Sequence, residues 1–288
     1  MQGRFPQYFS IIYCLLFLMT PSFAAQPTFS NPYAIAPDGD NTQFYDQPVQ
    51  NLFLTSTVGP LQKNQHQLLA EPTYGQANQA NETEIQTLYS YGLNNHWQLG
   101  VEWEAYLMNN SQAGQHTSGP SDLSFFSEYS FTLIHHSTYS AALLFFLTYP
   151  NGSVSRGLSD GYIHYEPSLI LAKDFPSFND SQIFAEISLN IPQNRSNLNP
   201  SQENPALKTS TEFNVGFYIP NGRFVFSTEC SFESNNETNV TGNNVAYIAP
   251  GLIWNFNAVL EVGLAPAFGL TQSSDHYQII GFLSATLG

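Results

Sequence analysis

Between Thr83 and Pro150 the chain runs through four stretches of alternating residues, separated by connections of unequal length. The stretch Trp97 to Leu107 has the sharpest alternation. Trp97, Leu99, Val101, Trp103, Ala105 and Leu107 share one face, and Gln98, Gly100, Glu102, Glu104 and Tyr106 share the other. A period of two over that length is a β-strand with one apolar and one polar side. Carboxylates in the middle of the polar side leave two environments: a half-exposed soluble strand, or a membrane strand with lipid outside and a wet lumen inside.

Composition favours the second. Charged residues make up 10% of the chain and aromatics 15%, against about 25% charged in an ordinary globular domain. The balance of 7 Lys+Arg to 22 Asp+Glu, net −15, argues against a nucleic-acid partner, which needs a basic face. Residues 1–24 read as a secretory signal, with Arg4 ahead of an apolar run from Ile11 to Met19 and a small residue, Ala24, at the cleavage point. Beyond it Cys230 is the single cysteine, so disulfides cannot hold the exported chain together. No later stretch is long and apolar enough for a membrane helix. Any spanning must therefore be done by strands.

About twelve segments have the length of a tilted membrane strand, the first of them, near Gln65–Tyr74, with the weakest pattern. Leu93–His96, Ile134–Ser137, Pro220–Gly222 and Asn255–Asn257 read as tight turns, and Met108–Ser121, Pro150–Asp160, Gln193–Ala206 and Ser234–Asn243 as longer loops. Short and long connections alternate as they do in barrels with tight periplasmic turns and longer outside loops, except for Lys173–Asp180, longer than a tight turn, and the short Leu270–Ser274. Trp97, Tyr139, Phe217, Phe224 and Trp254 fall beside turns, and Tyr149, Tyr162 and Tyr277 beside loops, as two interfacial girdles would require. The fold class is all-β, a transmembrane antiparallel up-and-down barrel over residues 64–288. For residues 25–63, rich in Pro, Asn and Gln, two readings stand: a periplasmic or lumen-entering lead segment, or a tail without fixed structure.

Several words within Thr83–Phe175 carry a resemblance: Thr83-Glu84-Ile85-Gln86, Tyr91-Gly92-Leu93, Trp97 to Glu102, Gly119-Pro120-Ser121-Asp122-Leu123, Tyr149-Pro150-Asn151-Gly152, and Leu169 to Phe175. In these the chain resembles the MetA-pathway of phenol degradation family, outer-membrane barrels labelled as transporters. Ser121 stands where that family has a second glycine, and the chain ends Ala285-Thr286-Leu287-Gly288 rather than on an aromatic residue. The resemblance implies a barrel that passes small, aromatic molecules.

Strand phase places Glu102, Glu104, Glu128, Glu166, Glu186, Glu212 and Glu229 near mid-strand on the face opposite the apolar one. Facing lipid, each would cost on the order of 1–3 kcal/mol, so they are expected to line a lumen. There they would either favour cations, as acidic rings do in pores, or pair with Tyr, Asn and Gln to fill a narrow barrel. Lys208 and Arg223 have inward phase near opposite ends, and Lys173 sits close to a turn. His135-His136-Ser137 lies in a tight turn, where neighbours cannot face each other as a catalytic triad requires. His116, His164 and His276 show no metal-ligand spacing. The expectation is thus a non-enzymatic outer-membrane channel in a Gram-negative cell, with lipid and a small solute as partners and no cofactor or metal. Its rival is a closed barrel with a structural or adhesive role, acting through the loops Met108–Ser121 and Gln193–Ala206. Oligomeric state stays open.

Overall fold

The computed structural model describes residues 49, 51–76, 81–110, 115–132, 138–193, 209–234 and 244–288. Twelve strands follow one another: β1 (His66–Gln76), β2 (Asn81–Asn94), β3 (Trp97–Asn110), β4 (Gln115–Thr132), β5 (Tyr139–Tyr149), β6 (Ile163–Phe175), β7 (Ser181–Gln193), β8 (Ser210–Asn221), β9 (Phe224–Ser234), β10 (Val245–Asn255), β11 (Leu260–Gly269) and β12 (Tyr277–Leu287). Each pairs antiparallel with its sequence neighbour, and β1 pairs with β12, from His66 opposite Leu287 to Gln76 opposite Tyr277, closing the barrel. Closure leaves no edge strand with unpaired backbone groups, the condition for crossing lipid on strands.

Alternation along each strand decides inside from outside. Leu68, Trp103, Phe125, Leu143, Ile187, Phe213, Phe226, Leu264 and Leu283 are exposed, and their in-phase neighbours continue a band of large apolar side chains round the barrel. Water would not tolerate an apolar surface of this extent; hydrocarbon does. Trp97, Tyr139, Phe224 and Trp254 are exposed near the turn end, with Phe224 stacked on Trp254 at 6.0 Å between centroids. Tyr149 is exposed at the loop end, but Tyr162 is buried there and belongs to no girdle. Its place is taken up by the folded loop described below.

Tight turns form at 95–96, 222–223 and 256–259, and Gly222 takes the left-handed φ of 64° that its turn requires. The expected turn at Ile134–Ser137, with its His135-His136-Ser137 triplet, lies outside the described residues, as does nearly all of the Gln193–Ala206 loop. Met108–Ser121 is not a loop throughout. β3 continues to Asn110 and β4 resumes at Gln115, with Asn110 opposite Gln115, so most of that stretch extends the β3–β4 hairpin.

Seen from within, the wall carries two apolar patches among its polar side chains. One joins Leu69, Phe184, Val225, Ala249, Ile253, Ala265, Ile280 and Phe282; the other joins Phe126, Ala142, Leu144 and Ile170. Val49, Leu52 and Phe53 complete the first patch, and Val58 packs against both. The residues leading into β1 therefore cross the interior of the barrel.

Candidate functional site: a two-tiered acidic lumen

All seven glutamates singled out by strand phase project from the inner face, and they fall into two tiers. Glu229, Glu186 and Glu128 lie in the turn half. Glu229 is fully buried, and its two oxygens accept the backbone N–H groups of Phe53 (3.0 Å) and Leu54 (2.8 Å). Glu186 accepts the N–H of Ser56 at 3.0 Å. Glu128 accepts from Gln98 (2.6 Å) and Ser130 (3.0 Å), while the carbonyl of Gln98 accepts the N–H of Leu61 at 2.9 Å. A fourth carboxylate, Glu261, accepts from the Asn51 amide at 2.6 Å. Glu229 and Glu186 thus satisfy backbone N–H groups of a segment that has no strand partner of its own, while Glu128 reaches it through Gln98 and Glu261 through the Asn51 side chain. An unmet N–H buried at that depth would be costly.

The other tier surrounds a cavity of about 490 Å³ in the loop half, lined by Glu102, Glu104, Glu166, Asp122, Asp160 and His164 among others. Beside it, Glu166 and Glu212 share a smaller cavity of about 160 Å³. Tyr106 donates its hydroxyl to Glu104 at 3.3 Å, and Glu212 accepts from Asn214 (3.0 Å) and Ser231 (3.2 Å). His164 lies 2.8 Å from Asp160 and 2.7 Å from the Asn190 carbonyl. No Lys or Arg lines either cavity.

A bulge builds the mouth of this tier. Between Trp103 opposite Leu123 and Ala105 opposite Pro120, β4 holds one residue more than β3, which turns both Ser121 and Asp122 away from lipid. Asp122 accepts the N–H groups of Asn151 and Gly152 and the hydroxyl of Ser159, each at 3.0 Å, and Ser121 donates to the Leu158 carbonyl at 2.8 Å. The connection between β5 and β6 is thereby folded against the wall with Leu158 buried. A Cβ at position 152 would collide with the Leu158 carbonyl, which is why glycine stands there. Burial alone would raise the pKa of the Asp160 carboxyl. Hydrogen bonds from His164 and from the Tyr162 N–H outweigh burial and hold it below its ordinary value.

Sequence phase misplaced one of the bases. Arg223 is exposed in the β8–β9 turn rather than inward. Lys173 faces outward, its ammonium 4.9 Å from the centre of the Tyr139 ring and 5.1 Å from that of Phe175. Lys208 lies outside the described residues. Glu71, not singled out in the sequence, has the inward phase of β1 within electrostatic reach of Glu102, Glu229 and Glu84; the alternation Leu69-Glu71-Thr73 was its signal. Nothing periodic announces the Asp160–His164 pair, because it bridges a loop and a strand. Among the described residues no group of His, Cys, Asp and Glu side chains is arranged to hold a metal ion.

No family model matches the sequence, and no curated protein matches it either. Solved structures do. An outer-membrane channel from Pseudomonas putida F1 superposes with a TM-score of 0.65 at 10% identity, covering 80% of this chain and 98% of that one. The NanC porin gives 0.52 at 13% identity, over 77% and 99% of the two chains. The KdgM porin, in complex with disordered oligogalacturonate, gives 0.50 at 9%, over 78% and 98%. The fold is that of a transmembrane β-barrel. At such identities the likeness is one of architecture, and the chemistry of the lumen has to be read from this chain's own residues.

Proposed function

We propose that the protein is an outer-membrane channel for small cationic solutes, with the loop-half cavity as its selective region. In this reading residues 1–24 direct export, residues 25–63 lead into the lumen, and Glu102, Glu104, Glu166 and Glu212 set the field that a solute meets. The observation that carries it is the cavity of about 490 Å³ with five carboxylates in its lining and no Lys or Arg. In a low-dielectric wall such a ring attracts cations and repels anions. Both the resemblance to the MetA-pathway family and the likeness to channel barrels support the reading. Passage is by diffusion, and no bond-making chemistry is assigned.

One observation favours the second reading, a closed barrel acting through its outside: residues 51–62 occupy the turn half of the lumen. Conductance across a planar bilayer separates the two. A channel gives discrete steps whose reversal potential in a salt gradient lies toward the cation, and Glu102→Gln with Glu104→Gln and Glu166→Gln moves it toward zero. A folded barrel that gives no steps, with residues 49–62 present or removed, would sink the channel.

A further inference from the structure

We infer that residues 51–62 form a displaceable plug, latched to the wall carboxylates of Glu229 and Glu186, whose withdrawal opens the turn half of the lumen. The inference rests on the channel reading above.

Four features separate this segment from a permanent core. First, it is not part of the wall. It forms no strand, and the twelve strands close on themselves without it, so its departure breaks no inter-strand ladder. Second, its polar attachments are of a kind that water can replace. Phe53, Leu54 and Ser56 donate backbone N–H groups to carboxylates. When the segment leaves, both the carboxylates and the amides are rehydrated.

Third, the wall is cut to receive it. A Cβ at Gly251 would strike the Phe53 ring, and one at Gly92 would strike the Gln62 carbonyl. The Phe53 ring also lies 5.3 Å from that of Phe282. The seat is incomplete even so: the hydroxyl of Ser227, buried beside this slot, has no hydrogen-bond partner among the described residues. Fourth, a pivot sits at its end. Asn64 takes a left-handed φ of 68° and donates its N–H to the Gly92 carbonyl, while Gly92 donates to the Gln65 carbonyl at 3.0 Å. These bonds tie the chain to the barrel just before β1, and residues 51–62 can move without breaking them.

Planar-bilayer recordings test the plug. The full chain is compared with Glu229→Ala/Glu186→Ala, with Gly251→Leu, which fills the Phe53 slot, and with a chain lacking residues 49–62. Each variant is first checked for the gel migration of a folded barrel. Open probability should rise about tenfold or more in the variants, the effect of losing charge-assisted hydrogen bonds. If the full chain conducts as fully and as steadily as the shortened one, the plug is refuted and the channel stands. If the folded shortened chain never conducts, the channel reading fails and takes the plug with it. A second readout needs no conductance: Ser56→Cys in a Cys14→Ala/Cys230→Ala background is treated with a charged maleimide. Labelling should be slow, and about tenfold faster once Gly251→Leu is added. Equal rates would overturn the inference.

Discussion

Asp160 lies 2.8 Å from His164, a contact that is an ion pair when the imidazole is protonated. Its carboxyl is held below the ordinary value of 3.8 by hydrogen bonds that outweigh its burial. The sign follows from linkage: a carboxyl with a depressed folded pKa adds stability that is complete above its unfolded pKa and is lost as pH falls through the folded one. The mouth of the barrel should therefore keep its structure from neutral pH down to about pH 4 and loosen below that. Asp160→Asn should remove this acid-sensitive step. Hydrogen exchange of the Tyr162 amide, followed as a function of pH, measures it directly. An unchanged acid transition in the variant would show that Asp160 is not the group responsible.

At the scale of elements, the β5–β6 connection shows how one side chain can fix a loop. Asp122 holds both ends of it, through Asn151 and Gly152 on one side and Ser159 on the other. Between them lies Arg156, exposed, with its guanidinium donating to the Ser118 carbonyl. Asp122→Ala leaves several donors without their acceptor, at about 1–3 kcal/mol for hydrogen bonds to a charged group. Trypsin should then cut after Arg156 at least about tenfold faster, since cleavage follows the population of the opened loop. A cleavage rate like that of the unaltered chain would mean that Ser121 and Leu158 suffice to hold the loop. The strands themselves were legible in the sequence because a barrel wall imposes a strict period of two, and phase alone found the inward face of Glu102 through Glu229. The bulge was not legible. It adds a single residue to β4, so Ser121 and Asp122 cannot both be placed by alternation, and Tyr162 was assigned to a girdle when the loop in fact buries it. Arg223 went wrong for a related reason: near strand ends and turns, phase no longer fixes direction.

For the whole molecule, the decisive property is the sorting of two solvents across one wall. Leu143 and Leu144 are neighbours on β5, yet Leu143 is 53% exposed and Leu144 is 4% exposed within the lumen cluster. Composition hinted at this arrangement through few charges and many aromatics, but how the interior is filled could not be read from it. The lead segment has no period, and it binds the wall carboxylates through its own backbone amides, which no side-chain pattern encodes. The two sides of the wall answer to different rules. Leu143→Arg puts a charge into hydrocarbon near mid-strand and should destabilise the barrel by about 2–4 kcal/mol, the cost found for basic residues at the bilayer midplane. Leu144→Ala instead opens a void inside the lumen, at about 2–5 kcal/mol where the neighbours cannot collapse. Urea unfolding from lipid vesicles distinguishes the two through bilayer thickness. The Leu143→Arg penalty should shrink in thinner bilayers, where the charge lies closer to water, while the Leu144→Ala penalty should hold. If both penalties vary with thickness alike, residue 144 does not face the lumen, and the inward face of β5 is assigned wrongly.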